Sequence, residues 1–126
     1  MDENQLSQII VDAAIEVHRT LGGPGLLESI YRSALDFEIR GRGLPVESEK
    51  FVPVKYKGQT VGTPLRLDLL VGQLMIVECK AVIEYNPIFE SQVLTYLRLT
   101  GLKLGLVVNF GQRLVKQGIH RVVNGL

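Results

Sequence analysis

The chain contains only one cysteine, Cys79, and no tryptophan. A single cysteine excludes an intramolecular disulfide, and it also excludes a zinc site built from several cysteines. No apolar run reaches the ~18 residues that a membrane-spanning helix requires. The first residues, 1–5, lack the basic and apolar regions of a signal peptide, so we expect a cytoplasmic location and no contact with a membrane.

Acidic residues are absent after Glu90, although the net charge of the whole chain is only +1. The basic residues of this acid-free segment are Arg98, Lys103, Arg113, Lys116 and Arg121. Such an asymmetry is typical of a polyanion-binding face, and it also occurs on ordinary solvated surfaces. The charge pattern alone leaves both interpretations open.

The length and the apolar spacing predict one domain that covers residues 1–126 and contains three helices. The first predicted helix covers residues 4–21 and ends at the glycine-rich run 22–25. The second predicted helix covers residues 26–40. Its predicted buried stripe is Leu27, Ile30, Ala34 and Phe37. Asn86 and Pro87 open the third predicted helix, which ends at Gly101.

The remaining segments favour strands. Residues 52–56 alternate apolar and polar side chains and precede a turn at Gly58. Stronger strands are predicted at 65–71 and 75–82, and the apolar run 104–110 is typical of a buried central strand. The last fifteen residues predict one more strand or a short helix. The order α-α-β-β-β-α-β, with a weak final element, indicates an α/β protein whose helices pack on a mixed central sheet.

The two strongest strands, 65–71 and 75–82, carry apolar residues at every odd position. Side chains alternate between the two faces of a strand. The predicted core face is therefore Leu65, Leu67, Leu69, Val71, Met75, Val77, Cys79 and Ala81. The other face holds Arg66, Asp68, Glu78 and Lys80, with Leu70 and Ile76 beside them. Burying both odd sets together requires an odd-numbered loop, and a loop at 72–74 places Asp68 opposite Glu78.

Two carboxylates facing each other across a strand pair repel one another unless a cation joins them. A hard divalent cation such as Mg²⁺ or Mn²⁺ is one solution, because it prefers oxygen ligands. Lys80 would then orient a water molecule or neutralise charge on a phosphate. The alternative is a surface ion-pair ladder that also includes Arg66. Charges within such apolar strands are costly without a purpose, which favours the metal site.

These residues also resemble a known superfamily. Asp68, nine intervening residues and then Glu78-Cys79-Lys80 resemble the PD-(D/E)XK nuclease motif, with Arg66-Leu67-Asp68 in place of its Pro-Asp half. Gln92 to Tyr96 is similar to the Gln-x-x-x-Tyr element that follows this hairpin in exonuclease-like members. Gly25 to Tyr31 matches the signature of the GxxExxY family, of which Asn109-Phe110-Gly111 is also typical.

The resemblance implies a restriction-endonuclease-like core and a metal-dependent nuclease that hydrolyses phosphodiester bonds, with DNA preferred over RNA. It implies catalytic roles for Asp68, Glu78, Lys80 and Gln92, all on one wall of an open groove. It implies that Mg²⁺ or Mn²⁺ is held by Asp68, Glu78 and Glu28. We expect nucleic-acid contacts from Tyr96, Arg66, Arg98 and Lys103.

Several of these roles have simpler alternatives. Glu28 also fits an ordinary position flanking a helix stripe, and Gln92 fits the polar edge of an amphipathic helix. The whole chain also fits a catalytically silent nucleic-acid-binding or scaffold protein, because a fold does not imply an activity. The short length leaves little room for a recognition domain. A homodimer or a partner protein that completes the substrate groove is therefore a further expectation.

Overall fold

The computed structural model describes all residues, 1–126, as three α-helices around one five-stranded sheet. The helices are α1 (Glu3–Thr20), α2 (Glu28–Gly41) and α3 (Ile88–Thr100). The strands are β1 (Val46–Val52), β2 (Lys55–Tyr56), β3 (Gln59–Thr60), β4 (Leu65–Val71), β5 (Met75–Lys80), β6 (Leu104–Asn109) and β7 (Ile119–Val123). A short 3-10 helix (Val115–Gly118) precedes β7.

The central sheet has the order β1-β4-β5-β6-β7, and only the β5–β6 pair is parallel. Helices α1 and α2 pack on one face over the larger hydrophobic cluster, and α3 covers a smaller cluster on the other face. This arrangement confirms the predicted α/β fold with helices on a mixed sheet. None of the helices combines the length and the apolar composition needed to cross a membrane.

The edge strand β1 was not predicted from the sequence. Its residues, VESEKFV, are mainly polar and exposed, so they carry little of the alternation that marks a half-buried strand. The strand predicted at 52–56 is only the two-residue β2, which pairs with β3. The turn between them confirms the role of Gly58, because Lys57 and Gly58 both have positive φ, as a tight hairpin turn requires.

The buried stripe of α2 differs from the predicted one. The buried residues are Tyr31, Leu35 and Ile39. Three of the residues predicted to be buried, Leu27, Ile30 and Phe37, are 73%, 46% and 78% exposed. The helix has apolar residues on two sides, so its period alone does not decide which side faces the sheet. The aromatic Tyr31 decides it, because its ring stacks on Phe110 in the core.

The regular alternation along β4 is interrupted at Asp68. Leu67, predicted on the core face with Leu69, instead belongs to the smaller cluster with Leu70 and Ile76. The neighbouring strand explains the departure, because Glu49 of β1 has a φ of 53°, which is unusual for a residue with a side chain. Neither Glu49 nor Asp68 has a partner in the β1–β4 ladder. The β1–β4 ladder is therefore interrupted at Asp68 and resumes in the same register at Leu67.

Candidate functional site

The β4–β5 hairpin has the predicted register. Its loop is Gly72-Gln73-Leu74, and the ladder pairs Val71 with Met75 and Leu69 with Val77. Beyond this last pair the strands are joined by side chains. The backbone N–H of Asp68 donates to Glu78 Oε2 at 2.6 Å, and the N–H of Cys79 donates to Asp68 Oδ2 at 2.8 Å. The prediction that the fold brings Asp68 and Glu78 together is confirmed.

Both carboxylates are nearly inaccessible to solvent, with Asp68 5% and Glu78 7% exposed. Burial, followed by the charge of Asp68, raises the pKa of Glu78 to about 8. Burial, followed by the charges of Glu78 and Asp68, also raises the pKa of the Tyr96 hydroxyl on α3. In the absence of a bound cation, Glu78 therefore keeps its proton up to about pH 8.

Two arginines contact one side of this pair. Arg66 NH2 lies 3.6 Å and Arg32 NH1 lies 3.9 Å from Asp68 Oδ1. Both arginines also pair with Glu49, at 3.2 and 3.1 Å. Arg66 was expected near the site, whereas Arg32 was missed, because it belongs to no motif in the sequence. The ion-pair alternative therefore holds for Asp68, but no ion pair includes Glu78 or Lys80.

Lys80 ends β5 on the face that α3 covers. Its Nζ lies 4.6 Å from the centre of the Phe89 ring, in the first turn of α3. Residues 89, 92 and 96 recur at helical spacing, so Gln92 lies on the same side of α3 as Phe89 and Tyr96. The exposed Gln92 therefore lies between Phe89, which contacts Lys80, and Tyr96, whose hydroxyl pKa is raised in part by the two carboxylates.

The backbone after Lys80 is held by Asn109, a residue for which the sequence suggested no role beyond its motif. Asn109 is fully buried and pairs with Lys80 in the parallel ladder. Its Oδ1 accepts from the N–H groups of Val82 and Gly111, and its Nδ2 donates to the Val82 carbonyl, all at 3.0 Å. A Cβ at Gly111 would lie 2.2 Å from that carbonyl oxygen. The Asn-Phe-Gly motif thus fixes the direction in which the chain leaves Lys80, which ends β5 before the predicted Val82.

Replacing Asn109 with Ala is expected to lower the free energy of unfolding by about 1–3 kcal/mol, because the polar backbone groups of Val82 lose their partner. Urea unfolding measures this change. Asn124→Ala is the matched comparison, since Asn124 makes a similar bond to the Leu102 carbonyl at the other end of the sheet. If Asn109→Ala costs no more than Asn124→Ala, Asn109 does not hold this segment.

The glycine and tyrosine of the 25–31 signature hold the loop that precedes α2. Gly25 has a φ of 118°, which residues with a side chain rarely adopt. The Tyr31 hydroxyl donates to the Gly23 carbonyl at 2.7 Å and accepts from the Leu26 N–H at 3.2 Å. The Tyr31 ring is parallel to that of Phe110 at 4.7 Å. Gly25 and Tyr31 therefore have a structural role: they fix the loop before α2 and thus the position of Glu28, the first residue of that helix.

Glu28 does not join the carboxylate pair. No three His, Cys, Asp or Glu side chains lie close enough together to hold a metal ion. Glu28 is nevertheless near the pair, because it lies one turn before Arg32, which contacts Asp68. Burial and the charges of Asp68, Glu78 and Glu28 raise the pKa of the Cys79 thiol, which fits a buried, unreactive cysteine.

The pair Asp68 and Glu78 nevertheless fits a divalent cation. Both ligands offer carboxylate oxygens, which Mg²⁺ and Mn²⁺ accept, and such ions commonly take one or two carboxylates and complete their shell with water and phosphate. Burial is the largest cause of the raised pKa of Glu78, followed by the charge of Asp68, and a bound cation would offset both. The residues present therefore suit a two-carboxylate site without Glu28.

Two expected nucleic-acid contacts lie away from this site. Arg98 is in the last turn of α3, whereas Phe89, beside Lys80, is in the first. Lys103 precedes Leu104, which pairs with Met75 at the opposite end of β5 from Lys80. The fold therefore brings Arg66 and Tyr96 to the carboxylates, but it does not bring Arg98 or Lys103 there.

Comparison with known proteins agrees with this geometry. The family model described as PD-(D/E)XK nuclease superfamily matches residues 4–122. No curated protein and no solved structure matches the chain. The three helices and the mixed five-stranded sheet fit the restriction-endonuclease-like fold. Because the match spans nearly the whole chain and includes the hairpin with Asp68, Glu78 and Lys80, the chain belongs to the PD-(D/E)XK nuclease superfamily.

Proposed function

We propose that this protein is a metal-dependent nuclease of the GxxExxY group that hydrolyses phosphodiester bonds in DNA, with RNA as the poorer substrate. The observation that carries the proposal is the carboxylate pair. Asp68 and Glu78 are buried, each accepts a backbone N–H from the opposite strand, and Lys80 follows two residues later. A protein that only binds nucleic acid has no need of two buried carboxylates, whose desolvation is costly.

We assign Asp68 and Glu78 as the residues that hold Mg²⁺ or Mn²⁺. When bound, such an ion polarises a phosphate and lowers the pKa of a coordinated water. The reciprocal backbone bonds fix both carboxylates before any ligand arrives, so little reorganisation is needed. Arg32 and Arg66 hold the outer oxygen of Asp68 and thereby orient its carboxylate.

Lys80 has the role of a cation for the reacting phosphate. Its ammonium group lies over the Phe89 ring and outside any ion pair, so it is free to neutralise charge that develops on the phosphate oxygens. Gln92 and Tyr96 offer hydrogen bonds to the substrate from the same side of α3. Arg66 is the further phosphate contact. No covalent intermediate with the protein is required.

A catalytically silent nucleic-acid-binding or scaffold protein is the second candidate. The observation that favours it is the contact of Asp68 with Arg32 and Arg66, which offsets part of the charge that a metal ion would otherwise balance. A homodimer or a partner protein that completes the groove is compatible with either function and stays a prediction.

The test is incubation of the protein with single- and double-stranded DNA and RNA, each with Mn²⁺, with Mg²⁺ and with a chelator. We expect cleavage only in the presence of a metal ion, and faster cleavage of DNA than of RNA. Products are resolved by electrophoresis. Binding without cleavage under every metal condition would instead support the silent nucleic-acid-binding protein.

A further inference from the structure

The largest cavity of the molecule, about 450 Å³, lies between the end of α1 and the segment before β7. Its apolar floor is formed by Ile15, Leu114 and Val115. Its charged rim is formed by Arg19, Arg113 and Lys116. A volume of several hundred cubic ångströms with an apolar floor and a few polar groups is typical of a ligand-binding site.

A second cavity of about 430 Å³ lies along the same part of the chain, on the side of the sheet that α1 and α2 cover. The second cavity is lined by Pro24, Gly25, Leu26, Ala81, Ile83 and Gly111. Both cavities use the same two chain segments, residues 22–26 and 111–116, and Ala81 directly follows Lys80. We refer to these two cavities together as the strip, which extends from Ala81, the residue after β5, to the charged rim of the larger cavity.

The cations along this strip are available to a ligand. None of the ion pairs in the protein uses Arg113 or Lys116, and both residues are exposed. Arg19 pairs with Glu16 on the same helix. The basic residues of the acid-free segment after Glu90 therefore do not form one surface. Arg98 and Lys103 lie toward the other end of the sheet, and Arg121 donates to Asn4.

We propose that this strip binds an unpaired stretch of the nucleic-acid substrate beyond the bond that is cleaved. Arg113 and Lys116, with Arg19, contact the phosphates, and a base rests on the floor formed by Ile15, Leu114 and Val115. An unpaired strand fits because its bases are free to leave the stack, whereas a duplex keeps them inside. The proposal rests on the proposed function for its substrate class, but not on the cleavage chemistry.

The experiment measures binding of a short fluorescent oligothymidylate by anisotropy at several salt concentrations, with a chelator present to prevent cleavage. Each phosphate contact contributes about 0.7 to the slope of log affinity against log salt for a single strand. The double variant Arg113→Ala/Lys116→Ala is therefore expected to lose ~1.4 from the magnitude of that slope. Arg98→Ala/Lys103→Ala removes the same charge from the same acid-free segment and should keep the slope.

An abasic strand of equal length and charge tests the apolar floor. Wild type is expected to bind oligothymidylate more tightly than the abasic strand, and Leu114→Ser should lose this preference while its salt slope stays the same. Equal slopes for the two double variants, or no binding of either strand, would overturn the proposal. A duplex bound more tightly than the single strand would overturn it as well.

The outcome is separable from that of the proposed function. Metal-dependent cleavage combined with equal salt slopes for the two double variants would support the nuclease function and contradict binding at the strip. A smaller slope only in Arg113→Ala/Lys116→Ala, without cleavage under any metal condition, would support binding at the strip and contradict the nuclease function. Melting temperatures of all variants should match wild type, because the substituted side chains are exposed.

Discussion

Changing Asp68 to Asn is expected to lower metal-dependent cleavage at least about a hundredfold while the protein stays folded. A metal ion contributes several kcal/mol to stabilising a phosphoryl transition state, and each 1.36 kcal/mol corresponds to a factor of about ten. Asp68 is one of only two carboxylates that we assign to the ion, and Glu28 forms no three-carboxylate cluster with them. Single-turnover cleavage assays measure the effect.

The fold should survive because the amide keeps the main structural contact of Asp68. Its carbonyl oxygen can still accept from the Cys79 N–H, the bond that Asp68 Oδ2 makes at 2.8 Å. Replacing the charge also removes the repulsion between Asp68 and Glu78. The cost is that the amide nitrogen then faces Arg32 and Arg66, which contact Asp68 Oδ1.

The same variant should lose the stabilisation that a metal ion provides. Wild type is expected to gain about 2.7 kcal/mol when Mn²⁺ is present at a hundredfold excess over its dissociation constant. Asp36→Asn is the matched control, since Asp36 is a carboxylate of α2 that pairs with Arg40 and lies outside the site. Suppose instead that Mn²⁺ leaves the wild-type melting temperature unchanged and that Asp68→Asn is strongly destabilised. The residues would then be a structural ion-pair cluster with Arg32 and Arg66.

The part of the site that the sequence predicted depends on one simple constraint. A strand has a period of two, so burying two alternating strands together allows only one parity of loop length. That constraint led from apolar residues alone to the 72–74 loop and to the adjacency of Asp68 and Glu78. The late buried strand and the glycine stop after α3 were predictable for similar local reasons.

The parts that were not predicted depend on contacts between distant segments. Arg32 reaches Asp68 only because α2 turns Tyr31 toward the core, and the apolar residues on both sides of α2 do not reveal that rotation. The irregularity at Asp68 arises opposite Glu49, a residue of an edge strand with no apolar pattern. Arg98 and Lys103 share a charge pattern with Arg113 and Lys116, but the fold separates the two pairs. The hydrophobic period and the charge pattern of a sequence do not determine which residues are neighbours across a sheet or where a residue lies on the surface.

Glu78 is expected to make the metal-free protein less stable as the pH rises from about 5 to 8. Its pKa of about 8 in the folded state lies above its ordinary value of 4.5, so between these values the folded protein holds a proton that the unfolded chain releases. Raising the pH therefore favours unfolding across this window. The slope is at most about 1.4 kcal/mol per pH unit. Small proteins have total stabilities of about 5–15 kcal/mol, so the loss is substantial.

Glu78→Gln isolates this contribution from that of other titrating groups, including the two histidines. The amide carbonyl keeps an acceptor for the Asp68 N–H but binds no proton, so the fall in stability across the window should largely disappear. Glu47→Gln is the control on the same sheet. Hydrogen bonds from Lys50 and Gln73 lower the pKa of Glu47, so its contribution is lost only as the pH falls through the acid range. Its removal should leave the slope between pH 5 and 8 unchanged.

Repeating the pH dependence of stability with Mn²⁺ present tests whether Glu78 binds a metal ion. Protons and metal ions compete for the oxygens of Glu78, so below the pKa of Glu78 the affinity for Mn²⁺ should rise about tenfold for each unit by which the pH is raised. With Mn²⁺ in excess the carboxylate stays ionised in the folded state, and the fall in stability with pH should vanish in wild type as it does in Glu78→Gln. Urea unfolding at several pH values, with and without Mn²⁺, measures both effects. A wild-type slope that persists unchanged in saturating Mn²⁺ would mean that Glu78 takes up its proton without binding metal, and its assignment as a metal ligand would be wrong.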